Sequence, residues 1–568
     1  MADVTEHPQR RIRDLADTYV GALAELDPLM ATYLGLPVGQ DRLPDFSPAG
    51  EVALDDLRRS TLASLEAAER EPGAAGDLTD GDERRCARLL RERLETELAV
   101  SAAGERLRTV SNLVAPPHQV REALLLMPSA TADDWAMIAA RIGRVPEALE
   151  GYRAALAASA GHGMYESPTL ISSLADQLAG WQANGTGWFG GFAAGVEGPP
   201  ALRAEIDRAG LAADAAVGAL RDWLRSDYLA GAAGTPDGVG PERYHLAVRR
   251  WNGARIDLTE TYEWGWAQFH EIHAQMAAEA DRIRPGATVL EAIAHVEEHG
   301  EVVEGVDEVR VRLQDLMDEV MADLDGTHFD LADPVKVVEA RIAPAGSAAA
   351  PYYSGPSEDF SRPGQTWLPT LGQTRFPMWH LYSTWYHEGV PGHHLQLAQW
   401  CYLARRLSTY QTSVGDVSAC TEGWALYAER LMDELGYLEA PGARLGYLEA
   451  QLTRAIRVIV DIGMHLRLAV PADSPMFAGQ VWTPSLALEF FMAQLGRDRE
   501  YSRSEVMRYL GLPAQAISYK LGERAWLSGR EAARTARGDS FDLKSWHMAA
   551  LSLGSLGLDD LADELARL

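Results

Sequence analysis

The chain has 568 residues, of which 47% are hydrophobic and 24% charged, and a formal net charge of −30. That composition suits a globular protein of several domains or one large body around a deep cleft, and the negative field disfavours nucleic acid and anionic membrane surfaces as partners. Three scattered cysteines (Cys86, Cys401, Cys420) exclude a disulfide framework or a Cys-type zinc site; with no apolar segment in Met1–Pro8 and no membrane-spanning run, they predict a cytoplasmic protein.

Helix follows helix from the start. Arg11 to Leu34 places Ile12, Leu15, Tyr19, Val20 and Leu23 at helical spacing and stops at Gly35. The same period predicts helices over Gly81 to Ala103, Ala132 to Ala158, Ala201 to Leu229 and Leu258 to Ile283. Between them, Gly180 to Gly195 is rich in glycine and aromatics (Trp181, Trp188, Phe189, Phe192), which reads as a surface connection packed by its rings or a lid. His295-Val296-Glu297-Glu298-His299 spells the inverted zinc signature, but it ends a helix on an acidic, solvated face and reads as surface. His270-Glu271-Ile272-His273 has the wrong spacing for a metal site.

Residues 333 to 370 change character. Pro334 to Ile342 is Val-rich and partly alternating, as in a strand. Pro344, Gly346, Pro351-Tyr352-Tyr353, Pro356 and Arg362-Pro363-Gly364 then predict an irregular segment, and helical periodicity returns from Pro377 to the end. The expected fold is mainly α with a small β element before the metal-binding helix. Residues 1–330 form a helical N-terminal region and 331–568 a metal-binding catalytic region, packed as one body.

The chemistry concentrates in Tyr386-His387-Glu388-Gly389-Val390-Pro391-Gly392-His393-His394-Leu395-Gln396. It resembles the zinc-peptidase signature H-E-x-x-H, in which two histidines one helical turn apart ligate the metal and the Glu is general base. Here the second histidine comes late. On an unbroken helix His394 returns to the face of His387 two turns away, roughly 10 Å along the axis, too far for two ligands of one zinc. Pro391 and Gly392 do not favour an unbroken helix, because proline lacks the N–H and clashes with the carbonyl four residues back. A break at 390–392 would bring His393 to the place of the missing ligand. The third ligand is then a carboxylate on a following helix: Glu422, in Thr421-Glu422-Gly423-Trp424, with Glu429 two turns on as the second candidate.

Four blocks together resemble the DUF885 family of bacterial proteins: the histidine motif; Thr421-Glu422-Gly423-Trp424-Ala425-Leu426-Tyr427-Ala428-Glu429; Arg457 to His465; and Pro513 to Gly522. The family in turn looks like a distant relative of helical, Glu-type zincin peptidases, with a large body around a deep cleft. The resemblance implies one zinc ion held by His387, His393 and Glu422, with Glu388 as general base. His394 is then substrate-facing or supporting, and His393 versus His394 stays open as second ligand. By the same likeness Tyr519 donates to the oxygen that gains charge, and Tyr353 belongs to a peptide-binding edge strand. Lys520 is read as holding a substrate carboxylate or as simply exposed. Arg454, Arg457, Asp461 and His465 share one helical stripe, either a cleft wall that binds a substrate terminus (with Arg457 on the substrate) or supports Glu422, or a buried Arg457–Asp461 pair. The implied activity is hydrolysis of amide bonds in small peptides. The alternatives are a metal-dependent enzyme acting on a non-peptide amide or C–N bond, and a non-catalytic metal-binding protein.

Overall fold

The computed structural model describes residues 10–70, 81–183, 185–195, 198–344, 350–440 and 442–568. Met1–Pro8 and Gly346 lie outside the described residues. The chain is mainly α, as its periodicity predicts.

Prolines cut several predicted helices. The first runs Arg11–Leu26 and restarts as Pro28–Tyr33, because Asp27 caps the second piece, accepting from the amides of Leu29 and Met30, and Pro28 fills its first turn. Ala132 to Ala158 becomes Ala132–Gly143 and Val145–Gly161, with Pro146 in the first turn of the second. Ala201 to Leu229 becomes Pro200–Trp223 continued by one wide turn, Leu224–Tyr228. The Gly180 to Gly195 stretch is a packed connection. It contains the short helix Trp188–Ala193, Asp214 accepts from the amides of Phe189 and Gly190, and the Arg121 guanidinium lies over Trp181 and Trp188.

Among the described residues five short strands precede the site: β1 (Val302–Glu304), β2 (Val338–Ile342), β3 (Tyr352–Ser354), β4 (Gly364–Leu368) and β5 (Arg375–Pro377). β1 pairs antiparallel with β5. β4 is the middle strand of the other sheet, parallel to β2 and antiparallel to β3, so Thr366 faces both Ala340 and Tyr353 in register. Five helices carry the site: α1 (Leu381–Glu388), α2 (His393–Tyr402), α3 (Ser418–Glu434), α4 (Ala443–Leu466) and α5 (Ser518–Arg537).

One apolar core runs through residues of both 1–330 and 331–568. The helix Leu258–Ile283, capped by Asp257, buries Tyr262, Trp266, Phe269, Ile272 and Met276 along one face. It packs along α4, and Trp266 and Phe269 both meet Phe490. Each such side chain contributes about 1.5–3 kcal/mol when fully buried, so this seam fastens the helices of the N-terminal half to the helices that carry the site. Among the described residues no helix is long and apolar enough to cross a membrane.

Candidate metal centre

The helix break falls where Pro391 requires it. α1 ends at Glu388 and α2 begins at His393; the Val390–Pro391 peptide between them is cis. Gly392 turns the chain where no side chain fits, since a Cβ there would overlap the carbonyl oxygens of His387 and Tyr386. Breaking a helix orphans buried carbonyls. The indole of Trp424, on α3, donates to those of Pro391 and Gly392 at 3.0 Å each. The His394 amide reaches the Gly389 carbonyl at 3.1 Å.

The break brings His393 beside His387, ring centroids 4.8 Å apart and nearly perpendicular. Their Nε2 atoms stand 3.5 Å and 3.3 Å from one oxygen, Oε2 of Glu422. Two donors each about 2.0–2.1 Å from a tetrahedral zinc stand roughly 3.4 Å apart, so both spacings are those of a tetrahedron's edges. Glu422 Oε2 is buried and accepts no hydrogen bond among the described residues. Leaving such an acceptor unmet costs about 1–3 kcal/mol; a protonated imidazole or a metal cation would answer it. Glu388 is the second carboxylate here, its oxygen within 4.8 Å of ligand atoms of both histidines. His387, Glu388 and His393 could together hold a metal ion, and Glu422 offers another carboxylate oxygen at edge spacing from both histidines.

Behind His387, Glu429 takes the hydrogen bond from Nδ1 at 2.8 Å and is itself fixed by the Ser383 hydroxyl at 2.5 Å. This assigns a proton of His387 to Nδ1 and turns Nε2 toward Glu422. Ser383 precedes His387 by one turn of α1, and Glu429 follows Glu422 by two turns of α3. Burial works against a charged His387, but Glu422, Glu429 and Glu388 outweigh it and lift its pKa to about 9. Burial likewise opposes a charged Glu422, yet the two imidazoles hold its carboxyl well below the usual range. Burial raises that of Glu388, against the pull of His387 and His393. Three carboxylates around two imidazoles favour positive charge, which a proton or a metal cation supplies.

Tyr519 closes the site from α5, its ring 6.4 Å from that of His387 and nearly parallel to it. α3 and α5 cross on bare backbone: a Cβ on Gly423 would collide with Gly522, and one on Gly522 with the Ala419 carbonyl. Gly423 follows Glu422 directly and Gly522 lies one turn beyond Tyr519, so the closest approach of the two helices falls at the site. The guanidinium of Arg457 lies 4.7 Å over the Tyr519 ring and that of Arg454 5.9 Å away. Burial raises the Tyr519 pKa, Glu422 adds to it and the arginines oppose it, which leaves the phenol protonated and able to donate.

Four expected site residues have other partners. His394 points away from His387: Tyr353 donates to its Nδ1 at 2.9 Å and its Nε2 donates to the Val335 carbonyl at 2.7 Å. Burial lowers its pKa to about 4. It is a neutral pin between α2, β3 and the turn before β2, not the second ligand, and the Tyr353 hydroxyl is engaged in the same pin rather than held out to substrate. Lys520 is 1% exposed and bonds Gln451 at 2.9 Å and Glu523 at 2.5 Å; buried and neutralised, it holds no substrate carboxylate. Arg457 pairs with Glu505 at 2.9 Å and not with Asp461, which instead accepts from the Tyr244 hydroxyl and the Ala514 amide. Arg457 acts on Tyr519, not as an open substrate anchor. Sequence reasoning had Glu429 only as a spare ligand and missed Ser383. The signal for both was present, since each repeats at helical spacing from a ligand and returns to the same face.

The mainly helical fold is shared with solved bacterial structures. A candidate lipoprotein from Colwellia psychrerythraea superposes with a TM-score of 0.83 over 99% of this chain and 99% of that one, at 22% identity. A candidate lipoprotein of unknown function from Shewanella oneidensis gives a TM-score of 0.73 over 97% of this chain and 99% of that one, at 18% identity. At these identities the likeness speaks for the fold alone. A search of curated proteins finds no match. The model of DUF885, a bacterial protein family of unknown function, matches residues 28–565, and the chain belongs to that family.

Proposed function

We propose that this chain is a zinc-dependent hydrolase of amide bonds in small peptides, with the ligand set of a Glu-type zincin. The observation that carries the reading is the convergence of His387 Nε2 and His393 Nε2 at tetrahedral-edge distances on a buried oxygen of Glu422 that no hydrogen bond meets among the described residues, with Glu388 beside them. His387, His393 and Glu422 would hold the zinc ion, which would supply Lewis acidity toward a carbonyl and a water. Glu388 takes the proton of the attacking water and returns it to the leaving amine. Tyr519 donates to the carbonyl oxygen as negative charge develops on it. Glu429 and Ser383 hold the His387 ring and its tautomer. Restriction to small peptides rests on the likeness to helical peptidases with a deep cleft. The free cysteines favour a reducing, cytoplasmic setting, and fractionation of the native protein tests it against the lipoprotein description of the fold neighbours.

The test is metal analysis of the purified protein combined with a panel of short peptides and non-peptide amides. About one zinc per chain and turnover of peptides, lost in Glu388→Gln with zinc retained, is the expected result. Turnover of other amides alone selects the non-peptide chemistry. Stoichiometric zinc with no turnover of any amide makes the site a non-catalytic one.

A further inference from the structure

Arg454 and Arg457 lie one turn apart on α4 and both face the Tyr519 ring. Their surroundings differ. Arg457 donates to Glu505 at 2.9 Å and to the Tyr509 hydroxyl at 3.2 Å, and Arg508 shares Glu505 through two bonds of 3.1 and 3.0 Å. Arg454 makes one hydrogen bond, from Nη1 to the Ala450 carbonyl of its own helix at 3.2 Å. Its Nε is buried with no acceptor among the described residues, and its Nη2 stands 3.9 Å from Glu429, outside hydrogen-bond reach. Glu429 already accepts from His387 and Ser383.

The neighbourhood of Tyr519 thus holds the guanidiniums of Arg454, Arg457 and Arg508, while Glu505 is the carboxylate bonded to the latter two. Glu422, Glu388 and Glu429 share this neighbourhood, so it holds no excess of positive charge; what sets Arg454 apart is that its carboxylate contact, Glu429, is long, at 3.9 Å. A largely buried guanidinium with unmet donors is stabilised by an anion, and its planar fork suits a carboxylate best. The Arg454 side chain is 19% exposed, so a ligand can reach it. Through Glu429 it is one residue removed from His387.

We infer that Arg454 is the anchor for a free carboxylate of the substrate, the C-terminal carboxylate of a short peptide lying over Tyr519. This rests on the hydrolase reading and narrows it: the enzyme releases residues from a free C-terminus and discriminates against peptides whose C-terminus is an amide.

The experiment separates the two claims. An N-acetylated tripeptide and its C-terminal amide are titrated calorimetrically into the full-length, zinc-loaded Glu388→Gln variant, which binds without turning over. The acid is expected to bind about tenfold or more tighter than the amide. Adding Arg454→Gln should remove that preference by weakening the acid alone, with zinc content unchanged, and Arg454→Lys should restore part of it. Equal affinity for acid and amide with Arg454 present, equal weakening of both in Arg454→Gln, loss of zinc in that variant, or no binding of either peptide each overturns the anchor. Wild-type turnover is read separately. Acid preference in binding without peptide turnover keeps the anchor and removes the hydrolase reading, whereas turnover of acid and amide at equal rates does the reverse.

Discussion

Two regions of this molecule carry histidines and a glutamate in zinc-like order. His295 to His299 spells its signature without a fault, yet it lies at the end of the helix Val289–His299, where the two rings stack on each other and His299 bonds the His295 carbonyl. Its Glu297 is taken by the Trp379 indole at 2.7 Å, and its Glu298 and His299 are exposed to water. His387 to His393 departs from its signature by two residues, yet its nitrogens converge on a buried carboxylate oxygen and its rings are braced by α3 and α5. The difference teaches that letters on a helix define a metal site only when other helices supply the third ligand, the orienting carboxylate and the exclusion of water.

The contrast breaks most completely in metal analysis. His387→Ala and His393→Ala are expected to abolish stoichiometric zinc, whereas His295→Ala and His394→Ala keep it. Zinc lost only in His295→Ala would reverse the comparison. The next largest effect is on rate: Glu388→Gln should keep zinc and lower turnover about 10²–10⁴-fold, and unchanged turnover would remove its role as base. Glu429→Gln tests the bracing that the exposed motif lacks. It should weaken zinc binding about 10–100-fold in a chelator competition, and unaltered affinity would show that the brace is idle. Smallest is the backbone: Gly392→Ala forces a methyl against the carbonyls of His387 and Tyr386 and should destabilise the fold by about 1–3 kcal/mol in urea unfolding. Gly300→Ala after the exposed motif leaves zinc content untouched.

Local chemistry made much of this legible. Pro391 and Gly392 encode the break, and the period of α3 points Glu422 and Glu429 the same way. The Asp27-Pro28 pair was a readable stop that the longer apolar period masked, since a cap and a proline outweigh periodicity over one turn. What stayed hidden depends on partners remote in the chain. Arg457 finds Glu505 rather than Asp461 on its own helix, and His394 finds Val335 and Tyr353 across the small sheet. Lys520 looks like an open cation beside Tyr519, but one step along a helix turns a side chain about 100°, here into a buried set with Glu523 and Arg430.

The crossing of α3 and α5 at Gly423 and Gly522 has a consequence for how such a site tolerates change. The separation between Glu422 and Tyr519 is set by atoms that are missing, so it is a gauge with no adjustment in one direction. A single methyl at either glycine would wedge the helices apart and withdraw the phenol from the imidazoles, while every candidate site side chain remains in the chain. Inspection of the active groups alone would pass such a variant as intact; its defect would be one of spacing.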